Sequence, residues 1–200
     1  MDWHPRLQAE GVARAMIALV LGSACCVEED VSSALALFDP DCVIAVNDMI
    51  ARWPGSIDHA VTLHVENLPR WLKARAALQP DRPVTWSHTG CRGQGRLSLL
   101  ADNVLDDWSG SSGLFGVRVA LELGFAAVLC GIPMDSRRHV PGQSATTWNG
   151  QPWPQGQIDT YRKGWLDHLD QIAPRVRSIS GWTAELLGKP DQDWLASAGR

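Results

Sequence analysis

The sequence predicts an α/β domain built on a mostly parallel sheet of about six strands with helices on both faces. Three observations predict it. Short apolar runs of strand length, rich in β-branched residues, recur along the chain; each stops at a small or polar residue where a loop would leave a strand; and stretches of helical spacing separate them. The first run, Ile17 to Leu21, stops at Gly22 and Ser23, and the second, Cys42 to Val46, stops at Asn47 and Asp48. Between them Val31, Leu35 and Phe38 stand at helical spacing within a predicted helix over 28–38. Its first turn carries Glu28, Glu29 and Asp30, where the helix dipole favours acids. Strand, helix, strand is a βαβ unit.

The same logic carries the rest of the chain. A third strand is predicted over 60–64, a helix over 66–78 and a fourth strand over 83–87. The Gly-rich stretch 90–113 is left without an assignment. Leu114 to Leu123 reads as the clearest helix, preceded by Ser109-Gly110-Ser111-Ser112-Gly113 and stopped by Gly124. A fifth strand follows over 126–130 and ends at Gly131. Residues 136–156, with their Pro, Gly and Trp, read as a long loop, and loops of that length are commonly functional or disordered. A helix over 157–172, a last strand over 176–179 and a short helix over 182–187 complete a single domain without internal repeats.

Composition limits the function. Two hundred residues with 45% hydrophobic content suffice for a buried core, and 18 Lys+Arg against 22 Asp+Glu give a net charge of −4. A chain this mildly acidic shows no strong nucleic-acid signal and no global attraction to anionic membrane. No apolar run approaches the roughly 20 residues that a membrane span needs, and the start of the chain lacks a basic segment followed by an apolar one. A cytoplasmic protein is expected. Five Cys, an odd number with no C-x-x-C spacing, support neither a disulfide framework nor a zinc ribbon; Cys42 and Cys130 read as buried small hydrophobes. Ten Trp stand beside one Tyr and three Phe. Trp53, Trp86, Trp108, Trp148, Trp153 and Trp182 all fall toward the carboxyl edge of the predicted sheet, which points to a cleft or an interface there, while Trp71 and Trp165 read as helix core.

Ligands of open α/β sheets bind beyond the carboxyl ends of the strands, which nominates residues before any motif does. Ser111, Ser112 and Gly113 open a helix, where free N–H groups and the dipole suit a phosphate or carboxylate; an ordinary serine cap is the competing description. The turn after the first strand has one glycine and is no G-x-G-x-x-G fingerprint. Cys25 or Cys26 there could gain thiolate character at a helix start, or simply be a small residue in a tight turn. Asn47 and Asp48 stand where a second strand delivers a residue to a ribose or base edge, and are equally the usual residues of a turn. His64 and His88, at neighbouring strand ends, are a weak metal pair without supporting spacing, and no metal site is assigned. Asp135 and His139 lie just past the fifth strand, and His139 suits proton transfer near neutral pH unless it is a solvated loop histidine. Asp39 and Asp41 read as a turn and cap at the opposite end of the sheet.

Several of these phrases occur together in one pattern. Ala18 to Ala24, Val43 to Asn47, Ser111-Ser112-Gly113 with Val119 to Phe125, and Leu129 to Ile132 resemble the Rossmann-like superfamily of hydroxymethylpterin pyrophosphokinase-like proteins and bacterial CMP-sialic-acid-dependent sialyltransferases. The resemblance covers residues 17 to 135. It implies a Rossmann-like fold, a nucleotide held by Gly22, Ser23, Asn47, Ser112 and Gly113, and a histidine such as His139 in the later part of the domain; the strand-end rule adds Asp48, Ser111 and Gly131 to the expected nucleotide site and Asp135 as an alternative base for the acceptor. This chain departs from the family at Ala24-Cys25-Cys26, where the family has Gly-Pro-Ser, and at Pro133-Met134-Asp135, where an acid follows directly. The expected function is a transferase moving a glycosyl or pyrophosphoryl group from a nucleotide or nucleotide-sugar to a small-molecule or glycan acceptor. Whether Mg2+ accompanies the nucleotide stays open. The alternatives are a non-catalytic nucleotide-binding or assembly protein, a homo-oligomer for example, that uses Trp-rich loops as a partner surface, and a hydrolase with a Cys25 or Cys26 nucleophile.

Overall fold

The computed structural model describes residues 16–90, 100–108, 111–137 and 154–198. Seven strands form one sheet, β1 (Ile17–Leu21), β2 (Cys42–Val46), β3 (His59–Val61), β4 (Val84–His88), β5 (Asn103–Leu105), β6 (Ala126–Cys130) and β7 (Val176–Ser178), in the order β5-β4-β3-β2-β1-β6-β7. Every neighbouring pair is parallel. The fold is therefore Rossmann-like, with seven strands rather than six. The additional one, β5, lies in the stretch left unassigned. Three half-buried residues at a sheet edge are too short to show periodicity, and β5 is held from outside its own sequence: Asp102 accepts from the Thr85 N–H at 2.9 Å and its hydroxyl at 2.7 Å, and from Arg82 at 3.0 Å.

Alternation along the strands sorts side chains between two cores. Ile17, Leu19 and Leu21 of β1 pack with α1 (Val27–Leu35), α2 (Met49–Arg52), α3 (Leu68–Ala76) and α8 (Gln192–Ser197). Ala18 and Val20 pack on the other face with α4 (Ser112–Glu122), α5 (Gln155–Asp167), α6 (Leu169–Ile172) and α7 (Gly181–Leu187). All five residues of β1 and of β6 are buried, because these two central strands are covered on both faces.

The helices differ from expectation in instructive ways. Helix α1 buries Val27, Val31 and Ala34 together with Asp30, while Leu35 is 45% exposed, so its buried stripe begins earlier than the sequence suggests. The predicted helix over 157–172 is two helices, interrupted at His168. Helices α2 and α8, each only four to six residues, have no signal of their own and exist by packing on the core. At the amino-terminal edge, Asp41 accepts from the Ile17 N–H at 2.9 Å and Asp58 from the Val43 N–H at 2.8 Å. These carboxylates satisfy donors that the ladders leave over, which is the capping role expected of Asp41. The four described cysteines are free thiols; Cys42 and Cys130 are buried, and burial, then Asp58 and Asp41, pushes the Cys42 thiol up to about 12. Among the described residues no helix is long and apolar enough to cross a membrane.

Candidate functional site

The chain steps outward from β1 to β5, and α4 then carries it back to β6 on the other side of β1. This makes β1 and β6 the topological switch point, where diverging loops leave a crevice. Helix α4 sits close over it: a Cβ on Gly116 would stand 2.8 Å from Val46 Cγ2 and 3.1 Å from Val20 Cγ1. A cleft of about 570 Å3 opens at the carboxyl ends of the strands, a volume typical of small-molecule sites. All eight sequence-nominated ligand residues line it: Gly22 and Ser23 after β1, Asn47 and Asp48 after β2, Ser111 to Gly113 at the start of α4, and Gly131 after β6. Asp135 lines it too. His139, with Ser109 and Gly110, lies outside the described residues.

The start of α4 supplies the cleft's donors. Ser111 caps the helix, its Oγ accepting from the Leu114 N–H at 3.3 Å, and the Phe115 N–H goes to the Ser111 carbonyl at 3.0 Å. The N–H groups of Ser112 and Gly113 precede the first intrahelical bond. The serine cap therefore leaves the Ser112 and Gly113 N–H groups outside the helix's own bonds. The turn after β1 is organised differently. Gly22 donates to the Cys130 carbonyl at 2.8 Å and Ala24 to the Gly131 carbonyl at 3.1 Å. Two backbones cross here: a Cβ on Gly22 would meet Gly131 O at 2.5 Å, and one on Gly131, at φ +68°, would meet Gly22 O at 2.4 Å. These glycines are required by the meeting of two loops, and the Gly22 and Ala24 donors are already used.

On the β2 side, Asn47 adopts φ +53°, in the left-handed region that Asn tolerates. Its Oδ1 accepts from the Thr62 hydroxyl at 2.7 Å, and Thr62 Oγ1 accepts in turn from the His64 N–H at 2.8 Å. This chain ties the ends of β2 and β3 together. Beyond β6, the Asp135 carboxylate accepts from the Arg137 N–H at 3.0 Å and pairs with its Nε at 3.1 Å. Burial pulls the Arg137 guanidinium down, but a hydrogen bond to Cys26 and the nearby carboxylates of Asp135 and Asp30 outweigh it and raise its pKa.

The Cys26 thiol is held in the opposite state from a nucleophile. Burial raises its pKa, and although hydrogen bonds from Ser180 and Arg137 oppose this, the charge and hydrogen bond of Asp30 add to the rise. Its Sγ stands 3.4 Å from both Asp30 Oδ2 and Ser180 Oγ. Asp30 itself, 3% exposed, accepts from the Gly131 N–H and the Ser180 hydroxyl, each at 2.8 Å. One carboxylate thus joins α1 to the loops after β6 and β7, and its burial is not readable from its place in a first helical turn.

Comparison with known families, curated proteins and solved structures finds no match. The geometry alone therefore distributes the tryptophans. Trp71 and Trp165 are buried in the helix core as expected, at 6% and 0% exposed, and Trp71 also lines the cleft. Trp86 points the other way, its Nε1 donating to His59 Nδ1 at 3.1 Å near the amino end of β3. Trp108 is stacked on His168 at 4.5 Å with Arg118 4.8 Å from its ring, so it fastens α4 to the end of α5. Trp182 carries Arg162 at 4.7 Å, and that Arg donates to the Met134 carbonyl at 2.9 Å, bracing the loop after β6. Trp148 and Trp153 lie outside the described residues. Gln157, Ile158 and Tyr161 of α5 also face the cleft; they are far from any strand end in sequence and no local signal marks them. Among the described residues no three His, Cys, Asp or Glu side chains gather as a metal site requires, and His64 lines the cleft without His88.

Proposed function

We propose that this protein is a nucleotide-dependent transferase, passing a glycosyl or pyrophosphoryl group from a nucleotide donor to a hydroxyl acceptor. The observation that carries the reading is the α4 start opening into the switch-point cleft, with the Ser112 and Gly113 N–H groups ahead of the first intrahelical bond. A helix start of this kind suits the leaving phosphate, whose developing charge such preorganised donors stabilise. Arg137 also lines the cleft, with its guanidinium paired to Asp135. Asn47 and Asp48, one strand over after β2, line the same cleft and would face the ribose or base. The resemblance of residues 17 to 135 to the pyrophosphokinase-like and sialyltransferase superfamily agrees with this reading.

One observation favours a second reading, a non-catalytic nucleotide-binding or assembly protein. The turn after β1 has its Gly22 and Ala24 donors engaged by carbonyls of the β6 loop, so it offers a phosphate less than a glycine-rich turn would.

A thermal-shift panel of CMP, CTP, ATP, UDP and their sugar conjugates tests the first reading. A ligand at 100 times its Kd adds about 2.7 kcal/mol, or roughly 5–10 °C for a domain of this size. Ser112→Glu, which suits a helix start but repels an anion, abolishes the shift without lowering the unliganded Tm. A panel in which no nucleotide moves the Tm overturns the reading.

A further inference from the structure

The cleft has a second wall. Where α4 and the turn after β1 form one side, the chain leaving β3 forms the other, and it brings His64, Glu66 and Asn67 to the cleft with Trp71 behind them. In the strand order, β3 is two places from β1, so at about 4.8 Å per strand the ends of these two strands stand roughly 10 Å apart. A transferred group lying between them would have its leaving phosphate at Ser112 and meet the incoming hydroxyl at the β3 side.

His64 is the base-bearing residue of that wall, and it is held on purpose-built backbone. Its N–H donates to Thr62 Oγ1, which donates to Asn47 Oδ1, so the residue after β2 and the one after β3 are locked in register. Glu66 Oε1 accepts from Asn67 Nδ2 at 3.2 Å and stands 3.7 Å from His64 Nδ1, within ion-pair but outside hydrogen-bond range. A Glu66–His64 contact that tightened to a hydrogen bond when substrate binds would favour the tautomer with Nε2 unprotonated, which is the one that accepts a proton. Both side chains are more than half exposed, 58% and 55%, so they are open to a ligand and contribute little to the core.

We propose that His64 is the proton acceptor for the incoming hydroxyl, and that Glu66 positions its ring. The inference rests on the transferase reading above and deepens it by assigning the acceptor side. The acceptor oxygen forms a bond to the electrophilic atom of the transferred group. The bond from that atom to the nucleotide phosphate oxygen breaks, and its electron pair stays on the phosphate. The acceptor proton passes to His64 Nε2 and from there to solvent. Water can take the acceptor's place, which makes slow donor hydrolysis a usable readout.

The test uses the full chain with CMP-sialic acid and with ATP, measuring binding by thermal shift and nucleotide release by chromatography. His64→Gln keeps the wild-type thermal shift and loses at least about 100-fold in release rate, the usual scale for removing a general base. Glu66→Gln lowers kcat about tenfold with KM unchanged, and Glu66→Asp recovers part of that loss. A His64→Gln variant that releases nucleotide within threefold of wild type overturns the assignment and leaves the transferase reading standing. Absence of any thermal shift in the wild type overturns the reading itself. The His64 ring resonance, followed by NMR, moves on addition of donor; one that stays put while the donor binds overturns the assignment whether or not turnover is seen.

Discussion

Replacing Asp30 by Ala removes one oxygen that three donors share. Its Oδ2 accepts from the Gly131 N–H and the Ser180 hydroxyl at 2.8 Å each and from the Cys26 thiol at 3.4 Å, within a residue that is 3% exposed. A hydrogen bond to a charged group contributes about 1.5–3 kcal/mol, and a buried donor left without a partner costs about 1–3 kcal/mol. The Gly131 N–H has no freedom to turn elsewhere, whereas the Ser180 hydroxyl can rotate. Relief of the buried carboxylate's desolvation offsets part of the loss. The expected destabilisation is about 3 kcal/mol, read in urea unfolding as a lower midpoint at constant slope, or as a Tm about 6–12 °C lower. Asp30→Asn keeps an acceptor for Gly131 and costs about half as much. It also removes the negative charge that helps raise the Cys26 pKa, so with Cys25 and Cys91 replaced by Ser, iodoacetamide labels Cys26 faster in Asp30→Asn than in its parent at the same pH. A loss below about 1 kcal/mol in Asp30→Ala, or unchanged labelling in Asp30→Asn, would refute the view that this carboxylate joins the loops under the cleft.

Two further outcomes follow from the same geometry. Gly131→Ala combines φ +68° with a Cβ placed 2.4 Å from Gly22 O and 2.7 Å from Val27 Cβ, whereas Gly124→Ala has φ +88° and open space around it. Denaturant unfolding therefore gives about 3 kcal/mol or more for the first and only about 1 kcal/mol for the second, and equal losses would contradict the loop crossing. His59 accepts from Trp86 Nε1 through Nδ1, and burial lowers its pKa below the ordinary value, only partly opposed by Asp58. Its folded state favours the neutral ring, so this stability is fully present above about pH 6.5 and is lost as pH falls through the lowered folded value. The Tm difference between wild type and His59→Asn accordingly shrinks on acidification from pH 7.5 to 5; a difference independent of pH would show that Nδ1 does not carry this contact.

The parallel sheet was legible in the sequence because β1, β2 and β6 are buried on both faces, and burial on both faces demands the unbroken apolar runs Ile17–Leu21, Cys42–Val46 and Ala126–Cys130. The carboxyl-edge rule then led from those runs to the cleft residues after each strand, since a strand's end is a local fact. The sequence by itself thus determined six of the seven strands, their mostly parallel direction and the strand-end loops that meet the cleft. What it could not carry were relations between distant segments. The role of Gly131 depends on Gly22, 109 residues earlier, and that of Asp30 on Ser180. Trp86 and Trp108 sit near strand ends in sequence, yet rotamer and neighbours turn them toward His59 and His168 and away from the cleft, while Trp71 reaches it from a helix. Strand β5 and helices α2 and α8 are too short to be stable without the surfaces they pack on. Only the tertiary structure decided these, because each depends on a partner whose position exists only once the chain has folded.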